Sequence, residues 1–482
     1  MTTDYQTALD YIFNYVDYER RRAVPYDEEA WDLDRTRRAL RMLGNPQQQF
    51  KVVHVAGSKG KGSSAANIES VLRASGLRTG FYTSPHLHTF RERIRIDGNL
   101  LEPAQMVNLL DQCRPVIEAI PGITTFEIIT VLAFLHFARQ GVEWAVLEVG
   151  LGGRLDSTNV VTPAVSVITP ISHEHSALLG DTLAAIAFEK AGIIKKGVPV
   201  VCAPQDPEVL LVFQQVAAQQ DSSLVLVGLD WRWRSITDDL GGQSFSVFGP
   251  HPAEPGAEPV TIRSLYTPLL GRHQLINATV AVATCWELMQ QGVEISEPAL
   301  REGLSTVYWP GRLEVLDPPG DAGPAVVVDS AHNEASTALL FHALGRYLPG
   351  RPLVVLFGAS GDKDAAAMLE RFAPHTSKLV LTRSRHPRAA DPEQLAAAAR
   401  AYLAAESIFV TCDVAEGLNC ALQVASPAST VCATGSLFVV ADSREAWLAR
   451  YPGAFPPWDW AYQAEPPDPD WQVSQSPASR VQ

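Results

Sequence analysis

Lys59, Lys61 and Ser63 stand in the stretch HVAGSKGKGS, His54 to Ser63, directly after the apolar run FKVVHVA. A loop between a parallel strand and a helix points its unpaired backbone N–H groups at one spot, and the helix N-terminus adds positive potential there. Glycines let the backbone close on an oxyanion, Lys61 is suited to neutralise a terminal phosphate, and Ser63 to reach a bound Mg²⁺. The spacing departs from the GxxxxGK[ST] pattern, because two residues separate Gly57 from Gly60 and Gly62 intervenes between Lys61 and Ser63. On spacing alone a glycine-rich turn without a ligand stays open beside the phosphate cradle.

Two further groups point the same way. Glu148 closes the apolar run of AVLEVGLGGRLDSTN, just before its glycines, and His175 in ISHEHSALLG follows the run VSVITP. An acid at the C-terminal end of a strand faces the crevice where open α/β sheets take ligands. Its oxygens suit Mg²⁺. Singly, Glu148 reads equally as a surface acid and His175 as a structural or exposed histidine. Polar groups after three separate strands are the less ordinary combination.

The elements that must position these groups alternate. YQTALDYIFNYV has apolar residues at helical spacing, and LDRTRRALRMLG is a second helix ended by Gly44. FKVVHVA, WAVLEVG, AVSVITP, VPVVCAP and SLVLVG read as strands, with SSAANIESVLRASG and TLAAIAFEKAGII among the helices between them. That alternation predicts a parallel sheet covered on both faces. The stretch from Trp231 to Pro268 is rich in turn formers and β-type residues and predicts an antiparallel hairpin, followed by a helix at HQLINATVAVATCWELM. YWPGRLEVL looks like a linker, after which PAVVVDSAHN, RPLVVLFGAS, SKLVLTRS, SIFVTCD and STVCATGS start a second α/β pattern. The expected organisation is a first domain over 1–308, a linker over 309–316, a smaller domain over 317–452, and a poorly ordered tail over 453–482 with a Pro-, Asp-, Gln- and Ser-rich composition.

Composition excludes some functions. The 482 residues are 46% hydrophobic and carry a net charge of −14, which argues against a protein that tracks nucleic acid or an anionic membrane. The six cysteines are scattered without a CxxC pair and read as reduced thiols. The opening MTTDYQTALDYIF shows no secretory pattern, and GITTFEIITVLAFLHFA holds Glu127 and His136 and is short for a bilayer span. A cytoplasmic protein with small-molecule partners is expected.

With these pieces in view, the chain closely resembles the folylpolyglutamate synthase and dihydrofolate synthase family, the folate branch of the Mur-ligase-like ATP-dependent amide ligases. The resemblance runs from about Tyr5 to Arg444 and rests on LGNPQ, HVAGSKGKGS, YTSPHL, ERIRIDG, TTFE, EVGLGGRLDSTN, HEHSALLGDTLAAIAFEKAGI, GRHQLINA, WPGRLE, DSAHN, GDKD and TGSLFVV in that order. It implies a large P-loop-type domain with a mainly parallel sheet, like the Mur-ligase central domain, and a smaller Rossmann-like C-terminal domain. It also implies ATP and Mg²⁺ as cofactors and a monomer. The implied reaction phosphorylates a carboxylate with ATP and lets the amine of L-glutamate attack the acyl phosphate.

The resemblance assigns roles at matching positions. Lys59, Gly60, Lys61, Gly62 and Ser63 would hold ATP phosphates, with Asn277, Arg312 and Asp329 as further nucleotide contacts. Ser84, Glu148 and His175 would be Mg²⁺ ligands. Lys190 matches a lysine that the family often carries as a carbamate, serving a second Mg²⁺. Lys61, Lys190 and His332 would be catalytic, His332 near the incoming glutamate, with closure of the second domain required. Thr125, Phe126, Glu127, Leu155, Asp156 and Ser157 would line the pterin and carboxylate side. The chain departs from the family pattern at Ser58-Lys59, where Thr-Asn is usual, at Glu174, where Asp is usual, and at Ser330 and Glu334, where Gly and Pro are common.

Within that family GGRLDSTN looks more like bacterial and dihydrofolate-synthase members, so the expectation is a bifunctional enzyme acting on dihydropteroate and on reduced folates. A single folylpolyglutamate synthase activity is the nearest alternative. A UDP-sugar peptide ligase is disfavoured because the phosphate loop begins near residue 57, leaving little room for a preceding sugar-binding domain. A regulatory P-loop NTPase would explain Lys61, Ser63 and Glu148 but not DSAHN, TTFE or TSPHL.

Overall fold

The runs FKVVHVA, WAVLEVG and AVSVITP become three neighbouring parallel strands, because β-branched residues buried on both faces suit the middle of a covered sheet. The computed structural model of the chain describes residues 4–16, 31–174, 176–250, 259–316, 323–361 and 363–465. They fall into two units. The first extends to Tyr308, except that Leu87–Phe90 and Leu269–Gly271 group with the second, which otherwise begins at Trp309.

In the first unit the strands are β1 (Lys51–Ala56), β2 (Thr79–Tyr82), β3 (Ile94–Ile96), β4 (Asn99–Leu100), β5 (Trp144–Glu148), β6 (Val165–Ile168), β7 (Val200–Cys202) and β8 (Leu224–Leu226). They form one sheet in the order β4-β3-β2-β5-β1-β6-β7-β8. The pairs from β2 through β8 are parallel, while β3 and β4 add an antiparallel edge. This puts the C-terminal ends of β5, β1 and β6 side by side. The helix Thr125–Arg139 is apolar almost all round and is buried rather than surface-exposed, with Ile128, Leu132, Phe134 and Phe137 in the core. Each such side chain contributes about 1.5–3 kcal/mol by leaving water. Among the described residues no helix is long and apolar enough to cross a membrane. All six cysteines are free thiols.

The expected hairpin is a three-stranded antiparallel sheet instead. It comprises β9 (Arg232–Asp239), β10 (Gly242–Phe248) and β11 (Thr261–Thr267), with β10 in the middle. β10 and β11 are the two strands of the expected hairpin; the added strand is β9, whose residues are mostly exposed and gave no apolar run in the sequence.

The second unit carries β12 (Glu314–Leu316), β13 (Ala325–Val328), β14 (Leu353–Phe357), β15 (Thr376–Leu381), β16 (Ile408–Val410) and β17 (Thr430–Thr434), in the order β12-β13-β17-β14-β15-β16. All neighbours are parallel except β12 and β13. Part of the stretch expected to be a linker is therefore an edge strand: Glu314–Leu316 pairs with Val326–Val328. Part of the expected tail is packed as well. Trp460 and Asp459 are buried, and the Asp459 carboxylate accepts from Arg444 Nη2 at 2.7 Å. Arg444 is fully buried, so it requires that carboxylate. Residues 466–482 lie outside the described residues.

Candidate active site

The phosphate loop leaves β1 at Ala56 and enters the helix Lys61–Ala74 at Lys61. Two of its glycines are dictated by geometry. Gly57 has φ +150° and Gly60 φ +83°. A Cβ on Gly57 would strike Thr169 Oγ1, and one on Gly60 would strike Asn277 Oδ1. The loop backbone thus runs tight against the strand end of β6 on one side and the helix Arg272–Gln290 on the other. Gly60 caps the helix in the left-handed conformation, which leaves the first-turn N–H groups of Lys61, Gly62 and Ser63 directed outward from the helix start.

Beneath the loop lies a short polar chain. Asn277 Nδ2 donates to Gln274 Oε1 at 2.9 Å, and Gln274 Nε2 donates to Ser63 Oγ at 3.4 Å. Asn277 is buried, 3% exposed. Gln274 was not singled out from the sequence; its place in HQLINA, three residues before Asn277 on one helix face, is the signal that pointed to it.

The loop is laced to the segment after β6. The backbone N–H groups of Ser58 and Lys59 both donate to Pro170 O, at 3.1 and 3.0 Å, and Ser58 Oγ donates to Ser172 O at 3.1 Å. Lys59 Nζ pairs with Glu174 at 3.0 Å. His175, the expected metal ligand next in the chain, lies outside the described residues.

From the other side comes Lys190, in the last turn of the helix Leu183–Ala191. Its side chain is 4% exposed, and Nζ donates to Gly57 O at 2.8 Å. Burial, and next the charge of Lys61, lower its pKa to about 7; Glu174 and Asp156 oppose them. The neutral amine is therefore well populated near neutral pH.

Glu148 ends β5 and is 5% exposed. Its Oε2 accepts from the Ser84 backbone N–H at 3.3 Å, so two of the three expected Mg²⁺ ligands are adjacent. Among the described residues no three His, Cys, Asp or Glu side chains gather closely enough to hold a metal. One carboxylate and one hydroxyl fit Mg²⁺ of the kind that completes its shell with water and nucleotide phosphate, and not a metal caged by protein alone.

Comparison with known proteins decides which family builds this arrangement. The Mur ligase middle domain model matches residues 55–285, and the Mur ligase glutamate ligase domain model matches residues 311–437. The folylpolyglutamate synthase of Lacticaseibacillus casei is 38% identical over 356 residues, 71% of this chain and 78% of its own length. The chain belongs to the folylpolyglutamate synthase/dihydrofolate synthase family. The dihydrofolate synthase/folylpolyglutamate synthase of Bacillus subtilis is 36% identical over 70% of this chain and 78% of its own. The structure of the Mycobacterium tuberculosis folylpolyglutamate synthase complexed with ADP superposes with a TM-score of 0.81 at 30% identity, covering 92% of this chain and 98% of that one. As a member of this family the chain is an ATP-dependent amide ligase.

The residues that the family resemblance assigned to the pterin side are placed unequally. Thr125 Oγ1 donates to Ile12 O at 3.0 Å and Tyr15 O at 3.3 Å. Glu127 closes a capping box with Thr124 and pairs with Arg35 at 3.1 Å; burial raises its pKa against the pull of Arg35. Phe126 is half-buried, its ring against Gly150 and 6.1 Å from that of Tyr82. Leu155 and Ser157 are buried.

Asp156 is 1% exposed and receives the N–H groups of Gly150 and Leu151 at 3.0 Å each and of Thr158 at 2.9 Å, besides the Thr158 hydroxyl. Burial raises its pKa while these donors lower it. Thr158 Oγ1 also lies 2.8 Å from Nε2 of His54. With the hydroxyl proton directed at Asp156, the imidazole is the donor to Thr158, and burial lowers its pKa to about 3. His54, Thr158 and Asp156 therefore tie mid-β1 to the glycine loop after Glu148. Sequence reasoning did not find Thr158, although its place in LDSTN, two residues after the acid, is a usual spacing for an Asx turn.

The second unit holds the rest. Asp329, after β13, accepts from Leu313 N and Ala331 N at 2.8 Å each. Leu313 has φ +46°, so the Asp329 carboxylate clamps a strained turn beside Arg312. Arg312 donates to Gly311 O at 3.3 Å and to the Ser330 hydroxyl. His332 Nδ1 is 2.9 Å from Ser330 O. A carbonyl only accepts, so Nδ1 carries the proton and Nε2 is the basic nitrogen of the neutral ring.

Proposed function

We propose that the chain joins the amino group of L-glutamate to dihydropteroate and to the γ-carboxyl group of reduced folates, through an acyl phosphate. The observation that carries this reading is the convergence at two adjacent strand ends and one helix end: the amides of Lys61–Ser63 after β1, Glu148 at the end of β5, and Lys190 in the last turn of Leu183–Ala191 reaching Gly57. A carboxylate is a poor electrophile until one oxygen leaves as phosphate, and such transfer is accomplished by positioning and charge compensation. In this reading the loop amides and Lys61 bind the nucleotide phosphates and stabilise the transferring group. Ser84, Glu148 and His175 hold Mg²⁺, which when bound neutralises charge on the phosphate oxygens. Asn277 and Gln274 fix the loop from below.

Lys190 is assigned as a carbamate acceptor. The neutral form of its buried amine is the one that attacks CO₂, releasing a proton to solvent, and the anion so formed would face Lys61. Phe126 supplies an apolar face for the pterin, supported by Leu155 and Ser157. Thr125, Glu127 and Asp156 act by shaping that wall from within. Arg312 and Asp329 are assigned to the nucleotide and His332 to the amino-acid side. The domain assignment in this reading is ATP and folate on 1–308, and glutamate with further ATP contacts on 317–452.

The test is incorporation of labelled L-glutamate with ATP and Mg²⁺, offering dihydropteroate and tetrahydrofolate separately. Labelled product from both supports the bifunctional reading. Product from tetrahydrofolate alone identifies a single folylpolyglutamate synthase activity. Product from neither, with folded protein, rejects the folate reading.

A further inference from the structure

Two residues that set this chain apart from the usual family pattern, Lys59 and Glu174, are partners. Lys59 Nζ and Glu174 Oε1 are 3.0 Å apart, with the side chains 30% and 14% exposed. The pair continues a ladder already formed by the backbone, where Ser58 and Lys59 donate to Pro170 O and Ser58 Oγ donates to Ser172 O. At the root of that ladder Gly57 has no room for a Cβ against Thr169. The phosphate loop and the segment Thr169–Glu174 thus close on each other like two sides of a zip, and the ion pair is its last tooth.

We propose that Lys59 serves the phosphate loop through Glu174 and not by contacting the nucleotide: the two are positioning residues that brace the loop in its binding geometry. The inference rests on the nucleotide reading of this loop. Moving Lys59 onto a phosphate would break its 3.0 Å ion pair with a mostly buried carboxylate, and parting such a pair works against the new contact. Positive charge for the phosphates is then left to Lys61 and the amides.

The brace and direct contact predict opposite outcomes when Glu174 is neutralised. Calorimetric titration of MgADP into the wild type, Lys59→Met, Glu174→Gln and the double variant separates them, with a melting curve for each. A brace predicts that each single variant binds about three- to ten-fold more weakly, and that the double variant is no worse than the weaker single one, since both remove the same interaction. Lys59→Arg, which keeps the pair, should bind within about two-fold of wild type, and the KM for ATP should rise in the single variants with kcat largely kept. Tighter binding by Glu174→Gln, or losses that add in the double variant, would overturn the brace and put Lys59 on the nucleotide. If Lys59→Met does not fold, Lys59→Gln replaces it in both the single and the double variant, with the same non-additive loss expected and an additive loss again contradicting the brace. A wild type that binds no MgADP would remove the nucleotide reading itself, and the brace with it.

Discussion

Lys190 Nζ donates to the carbonyl oxygen of Gly57 at 2.8 Å, joining the last turn of one helix to the first residue of the phosphate loop. The bond places a buried amine at the point where the strand ends converge. Burial there, and next the charge of Lys61, lower the pKa of the amine to about 7.

That shift makes a prediction about stability. Between about pH 7 and the ordinary lysine value near 10.5 the folded state binds fewer protons than the unfolded chain, so stability rises with pH across that window. Below pH 7 the cost of burying the charge is fully present. Urea unfolding of wild type and Lys190→Met should show the variant gaining relative to wild type at pH 6 and losing that gain towards pH 9. A difference that does not vary with pH would contradict the buried, depressed amine.

The same amine should react with CO₂ in its neutral form. In ¹³C-bicarbonate, a carbamate resonance should appear in wild type, grow between pH 6.5 and 8.5, and be absent from Lys190→Met. No resonance at any pH would remove the carbamate assignment.

Gly60→Ala places a Cβ against Asn277 Oδ1 in a left-handed backbone. The conformation alone costs about 1–2 kcal/mol, so MgADP affinity should fall about ten-fold or more, with a smaller loss for Gly76→Ala, whose Cβ meets nothing. Equal effects at both glycines would argue against a tight loop.

Lys61→Ala should abolish acceptor-dependent turnover while leaving the melting temperature near that of wild type, because Lys61 is half-buried at the helix start and its role is electrostatic. Glu148→Gln should instead raise the Mg²⁺ concentration needed for half-maximal rate. An unchanged Mg²⁺ titration would assign the metal to other ligands.

In the second unit Arg444→Met tests the packed segment after residue 453. Arg444 is fully buried between Glu314 and Asp459, at 3.0 and 2.7 Å, and donates to His88 at 2.7 Å. Removing Arg444 takes the guanidinium away from the buried Asp459 and the half-buried Glu314, with an expected loss of about 3–5 kcal/mol in urea unfolding. A loss within about 0.5 kcal/mol, as at an ordinary surface site, would mean the segment is not held by this contact.

The parts legible in the sequence were those set by local pattern. The apolar runs became β1, β5 and β6, and Glu148 stands at the strand end its position in WAVLEVG implied. What the sequence concealed was partnership across distance. Lys59 and Glu174 were read separately, as an added charge near phosphate and a departure before a histidine; only folding brings residues 115 positions apart to 3.0 Å. The resemblance put Asp156 on the pterin and carboxylate side, yet the protein's own amides enclose it. Trp460 and Asp459 lie in a stretch whose composition suggests disorder, and a single buried arginine overrides that composition. The extra strand, β9, was hidden because its residues are mostly polar and exposed and give no apolar run.

The most direct test of the account is ADP release by the wild type with ATP, Mg²⁺ and L-glutamate, with and without a folate acceptor. A ligase of the proposed kind should release ADP only when dihydropteroate or tetrahydrofolate is present, in step with product formed. Steady ADP release without any acceptor and without a new amide bond would contradict it, and would return the phosphate loop to the reading of a nucleotide hydrolase.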